Sequence, residues 1–313
     1  MKIAVLFSGM ARYHKKCASS ILDYFDIPDV DVDFFIHSWT NTWFVRHDDE
    51  KGFQATSTRV ENNDKNQIVD ELTDLYNPKG LIVEDQLENE DLENQFLLFN
   101  KFHETNSRFL NLKNPWMDDY NSLSHPQREI AKRKFLNELH CGQIYSIQKS
   151  CELMSDYENS TRQEYDVVIR FRLDNFIQST PKDRSKFLME KYKKDCYARP
   201  FNKKLLLAQW ITMHRGATHV GDKFFCSDSE TFNAFNYFFD FHINRIFRHL
   251  TGQLTSFQFT PEAVLGDFVM YHDWVCRPHI PYDSARIFNY RDYHLEEADQ
   301  SFDNLFKIFI EKN

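Results

Sequence analysis

The run Tyr165-Asp166-Val167-Val168-Ile169-Arg170-Phe171-Arg172-Leu173-Asp174-Asn175 constrains this chain more than any other stretch. Three consecutive β-branched residues flanked by aromatics read as a short buried strand, whose side chains alternate between two faces. Val167, Ile169, Phe171 and Leu173 then share one face, and Arg170, Arg172 and Asp174 share the other. Ligands of open α/β sheets bind at the carboxyl ends of strands, where two guanidinium groups and a carboxylate suit a phosphorylated ligand and its metal. The same three residues also suit an internal Arg–Asp pair that orders the loop after the strand. Spacing alone favours neither reading.

Upstream, the apolar run Ile3 to Phe7 ends at Ser8-Gly9-Met10-Ala11-Arg12, and Ala18, Ile21, Leu22 and Phe25 follow at helical spacing. This predicts strand, tight turn and helix. Gly9 and the Ser8 hydroxyl sit where a backbone can approach a phosphate at a helix N-terminus, with Arg12 adding charge; an ordinary strand–helix turn has the same look. Val30 to Ile36 reads as a second strand that, if parallel to the first, delivers His37, Ser38, Trp39 and Asn41 to the same sheet end as Ser8. These residues suit base or sugar stacking, or a capped loop with half-buried tryptophans.

The polar stretch from Asp48 to Asn66 predicts a mobile surface loop. Ile68, Leu72 and Leu75 mark a helix stopped near Asn77-Pro78, and Gly80 to Glu84 a third strand. Residues 86–126 break the strand–helix rhythm and read as a mainly helical insertion, with a helix around Leu92 to Phe102. A long helix is predicted from about Gln127 to Tyr157, with Ile144, Ile147, Cys151 and Met154 as its apolar stripe. Gln143, Tyr145 and Lys149 on it face either a ligand or solvent.

Pro181 to Lys194 reads as a charged helix and Asp195 to Arg199 as a strand. Asp222, in the glycine turn before Phe224-Phe225-Cys226, is either a turn former or a catalytic carboxylate. Phe232, Phe235, Phe238, Phe239 and Ile243 form an amphipathic helix face. Thr260-Pro261-Glu262 is a well-formed helix start that explains Glu262 structurally, with Thr as N-cap and an acid favourable to the helix dipole. A last short helix is expected near Phe302 to Ile310.

Composition narrows the function classes. Lys and Arg number 38 against 47 Asp and Glu, a net charge of -9, so no global field favours nucleic acid as a partner. The six cysteines show no Cys-x-x-Cys pair, and no export signal or membrane-length apolar run is evident, which predicts free thiols in a soluble cytoplasmic protein.

Five motifs in order carry a resemblance: Ser-Gly-x-x-Arg after the first strand, Phe-Ile-His-Ser-Trp closing the second, Val-Ile-Arg-x-Arg-x-Asp, Gly-Asp-x-Phe-Phe, and Pro-Glu-x-x-Leu opening a helix. Together they resemble glycosyltransferase-like proteins of viruses and bacteria with the GT-A type nucleotide-sugar fold. The resemblance implies one α/β domain over residues 1–313, with a GT-A-like (Rossmann-like) mixed central sheet flanked by helices. It implies transfer of a sugar from a UDP- or GDP-sugar to a glycan or other hydroxyl acceptor, in the host cytoplasm if the protein is viral.

By the same resemblance Ser8, Gly9, Arg12, His37 and Trp39 contact the nucleotide. Such proteins normally carry Asp-x-Asp on a metal, Mn²⁺ or Mg²⁺, that bridges the diphosphate. Here Arg172-Leu173-Asp174 stands in its place, so either Asp174 holds the metal with outside help or Arg170 and Arg172 neutralise the diphosphate directly. Asp222, with Glu262 or Asp267 as substitutes, is the base expected of inverting chemistry; retaining chemistry is equally compatible. A binding module without turnover, and another phosphate-handling α/β transferase such as a nucleotidyl- or sulfotransferase, are the alternatives.

Overall fold

Ile3 to Phe7 are all fully buried, and a strand covered on both faces belongs in the middle of a parallel sheet. The computed structural model describes residues 1–26, 28–47, 55–110, 132, 136, 139–179, 204–208, 211–214, 217–250, 260–278 and 285–289. The chain runs β1 (Lys2–Met10), α1 (His14–Phe25), β2 (Asp31–Trp39), β3 (Asn41–His47), β4 (Ala55–Asn62), α2 (Lys65–Tyr76), β5 (Gly80–Glu84) and α3 (Glu90–Leu110). After these come α4 (Cys141–Thr161), β6 (Val167–Phe171), β7 (Asn175–Ser179), β8 (Leu205–Ala208), β9 (Ile211–His214), β10 (Ala217–Val220) and β11 (Phe224–Ser227). The last described elements are α5 (Ser229–Phe232), a 3-10 turn at Asn233–Tyr237, α6 (Phe238–Leu250), α7 (Pro261–Tyr271), β12 (Val275–Pro278) and β13 (Ala285–Asn289).

The central sheet has seven strands in the order β5-β2-β1-β6-β11-β8-β12. Every neighbouring pair is parallel except those of β11, which runs against both β6 and β8. This is the mixed, Rossmann-like α/β sheet expected from the sequence. Odd and even residues feed two cores, as strand alternation requires. Ile3, Val5, Phe7, Val167, Ile169 and Phe171 pack with α1 and α2, whereas Ala4, Leu6 and Val168 pack with α3, α4, α6 and α7.

One strand of opposite sense has a geometric effect. Phe224 pairs with Phe171, so the amino end of β11 meets the carboxyl end of β6, and the turn at Asp222 lies beside Arg172.

Several local expectations are corrected. Ser8, Gly9, His37 and Trp39 continue their strands rather than leaving them, because Ser8 pairs with His37 and Met10 with Trp39. The loop expected over 48–66 is in part a hairpin, β3 with β4, followed by α2; residues 48–54 lie outside the described residues. The long helix expected from about 127 to 157 is interrupted: Lys132 and Leu136 are helical, but His140 adopts left-handed geometry and α4 starts at Cys141. The helix expected at Leu92–Phe102 spans Glu90–Leu110. The elements expected at 111–126, 181–199 and 302–310 lie outside the described residues. Cys17, Cys141, Cys151, Cys226 and Cys276 are free thiols, and Cys196 lies outside the description.

Helix α7 starts as its sequence predicts: the Thr260 hydroxyl accepts from the Ala263 N–H at 3.3 Å, with Pro261 in the first turn. Its course across β10 is set by Gly266, where an added Cβ would lie 1.8 Å from the Thr218 carbonyl oxygen. Backbone cannot swing aside as a side-chain tip can. Gly266→Ala is therefore expected to cost about 1–3 kcal/mol or more, the usual penalty for overpacking, measured as a lower urea midpoint. An unchanged midpoint would show that α7 does not lie so close to β10.

Candidate functional site

The carboxyl ends of β1 and β6 and the amino end of β11 bring Ser8, Arg12, Arg170, Arg172, Asp174 and Asp222 together. Arg170, on the last turn of the pleat in β6, is fully buried and donates from Nε to the Ser8 hydroxyl at 2.8 Å. Its guanidinium lies 5.7 Å from the Phe225 ring centre. Among the described residues neither its Nη1 nor its Nη2 finds an acceptor. Burial pushes its pKa down to about 10, with Asp222 pulling the other way.

Asp174 is the internal anion of this cluster. Arg12 Nη2 reaches its Oδ2 at 2.8 Å, and Arg172 donates from Nε to Oδ1 at 2.9 Å and from Nη2 to Oδ2 at 3.0 Å. Asp174 and Arg12 are both buried, and the Arg172 side chain is 15% exposed. The internal Arg–Asp pair weighed from spacing is thus present, and it is a three-residue one. These contacts do not fit a divalent cation: both carboxylate oxygens already accept from guanidinium groups. Among the described residues no group of three His, Cys, Asp or Glu side chains could hold a metal ion.

Beside it lies a carboxyl pair. Gln143 Nε2 donates to Asp222 Oδ2, and Arg172 Nη1 stands 3.7 Å from the same oxygen. Burial pushes the Asp222 carboxyl up, but Arg172 and Arg170 outweigh it and hold the group below the usual carboxylate range. Glu262, in the first turn of α7, shares a hydrogen bond with Asp222. Burial first, and then the Asp222 charge, push Glu262 up to about 7. Two carboxyl groups that share one proton part their pKa values in this way.

The other expected site residues are placed differently. Gly9, at φ +118°, donates its N–H to Ser146 Oγ at 2.6 Å. His37 is fully buried; its Nδ1 bonds Ser146 Oγ at 2.8 Å, and its Nε2 stands 3.5 Å from Glu84 Oε1. Trp39, 1% exposed, stacks on Tyr145 and donates to the Gly142 carbonyl at 3.2 Å. Both rings are therefore core pieces supporting the rim, with no face to offer a nucleotide base. Asp267 accepts from Arg245 Nε at 2.5 Å, which ties α7 to α6 and leaves it out of the cluster around Asp222.

Sequence reasoning missed Ser146. Gln143 and Ser146, three residues apart among apolar neighbours of α4, fall on one helix face, and that polar pair was the available signal. A cavity of about 340 Å³ lies elsewhere, lined by Glu84, Asn89, Asp91, Tyr145, Lys149 and Glu152 among others. Its polar groups bond one another: Tyr145 donates to Asp91 at 3.0 Å and Lys149 to Glu152 at 2.8 Å.

No protein-family model matches the chain, and no curated protein matches it. Among solved structures, mouse xyloside xylosyltransferase 1 in its apo form is similar over 88% of this chain and 83% of its own, at 9% identity and a TM-score of 0.34. Among the described residues no helix is long and apolar enough to cross a membrane.

Proposed function

We propose that this chain transfers a sugar from a nucleotide diphosphate sugar to the hydroxyl of a glycan or other acceptor. The observation that carries the reading is one rim holding both things the reaction needs. Asp222, which shares a hydrogen bond with Glu262, stands 3.7 Å from the guanidinium of Arg172. A departing diphosphate needs positive charge, and an acceptor hydroxyl needs a base. Arg12, Arg170 and Arg172 supply the first from the protein's own side chains, in place of the divalent cation that Asp174 does not fit. Glu262 supplies the second: Asp222 is held ionised by its arginines, so Glu262 is the member of the pair that takes up and releases the proton near neutral pH. This reverses the order in which the sequence ranks the two acids.

The test is a screen of UDP- and GDP-sugars with and without Mn²⁺, read as release of nucleoside diphosphate. Release that persists in chelator supports the reading. A second reading, a nucleotide- or glycan-binding module without turnover, is favoured by how completely Asp174 already occupies Arg12 and Arg172; binding without release would select it. No binding of any nucleotide sugar would discard both.

A further inference from the structure

Three guanidinium groups, Arg12, Arg170 and Arg172, meet two ionised carboxylates, Asp174 and Asp222, in a nearly closed space. Two details make the arrangement unlike an ordinary structural ion pair. Asp174 bonds Arg12 at one oxygen and takes the side-on fork of Arg172 at both, the contact geometry that guanidinium groups make with phosphate oxygens. Meanwhile the deepest guanidinium keeps both Nη groups without an acceptor among the described residues, although it is fully buried. Leaving such donors unpaired is costly, and an entering anion relieves the cost.

We propose that Asp174 is an internal counter-anion that stands in for a diphosphate and is displaced by it. The chain's own carboxylate holds Arg12 and Arg172 in place while no ligand is bound. An entering diphosphate takes over those two guanidinium groups and reaches the unpaired donors of Arg170. Asp174 is then a specificity residue that sets how tightly a diphosphate must bind, because each ligand must outcompete a carboxylate already in position. This inference rests on the assignment of the arginine cluster to a diphosphate, and not on sugar transfer.

Inorganic pyrophosphate in chelator is the probe. Calorimetry compares the parent with Asp174→Asn, which removes the charge, and Asp174→Glu, which keeps it. The Asn variant is expected to bind pyrophosphate at least about tenfold more tightly than the parent, because one competing charge has gone, and the Glu variant to stay close to the parent. An Asn variant that binds no tighter, or not at all, overturns the proposal. Should that variant fail to fold, the parent decides: in a crystal structure with pyrophosphate bound, phosphate oxygens replace Asp174 on Arg12 and Arg172. Bound pyrophosphate beside both intact carboxylate contacts overturns the proposal equally. Tighter binding in a protein that releases nothing from any nucleotide sugar leaves Asp174 in this role and removes only the transferase reading.

Discussion

Glu262→Gln is expected to lower donor turnover to acceptor by about 10²–10⁴-fold, the usual contribution of a positioned general base, while leaving donor affinity within a few-fold of the parent. The same substitution changes how pH acts on the molecule. In the parent, the rate rises as Glu262 loses its proton near pH 7. Stability moves the other way. Folding raises the carboxyl from 4.5 to about 7, so across that window the folded chain keeps a proton that the unfolded chain has released. Stability is therefore full below pH 4.5 and is lost as pH rises through 7, by on the order of 3 kcal/mol. Glu262→Gln removes that slope, making the variant the more stable protein at pH 8 and the less active one. Initial rates and urea midpoints at pH 5 and pH 8 check both halves. A variant that keeps the parent's rate and slope would place the base elsewhere.

The second large effect is on stability. Asp174→Ala takes the shared carboxylate from two guanidinium groups, and removing one partner of a buried ion pair leaves its charge uncompensated. The expected cost is about 3 kcal/mol, at the lower end of the usual range because Arg172 is partly open to solvent and its share is screened. Urea denaturation near neutral pH measures it. A midpoint equal to the parent's would mean that neither arginine depends on Asp174.

What the sequence made legible was periodic or local. The alternation along Val167 to Leu173, the Thr260-Pro261 cap and the helix stop near Asn77-Pro78 all follow from residues within a few positions of one another, and all are present. The hairpin of β3 and β4 was missed because Thr, Ser, Arg and Glu fill β4 and no Asn-Gly or Asp-Gly turn announces it. The break before α4 was missed because His140, not glycine or proline, takes the left-handed conformation. At the site, residue types were legible and partners were not. Nothing in local spacing couples Gln143 to Asp222 or says that Trp39 stacks on Tyr145, since tertiary packing decides which polar residue of a strand end meets ligand and which meets core.

The central pairing of the sheet sets the order in which this protein can assemble. Ile3 pairs with Val167, and the Arg12–Asp174 and Ser8–Arg170 contacts each close 162 residues of chain. Contacts so distant form late, because the entropy of closing the loop precedes any gain from it. During synthesis, β1 and β2 can pair while the β6 side of β1 stays open, an unsatisfied hydrogen-bonding edge on a strand whose residues Ile3 to Phe7 are all apolar and buried in the folded protein. The arginine cluster thus comes into being only after that edge is sealed, so growing chains are prone to stick to one another before they can bind anything.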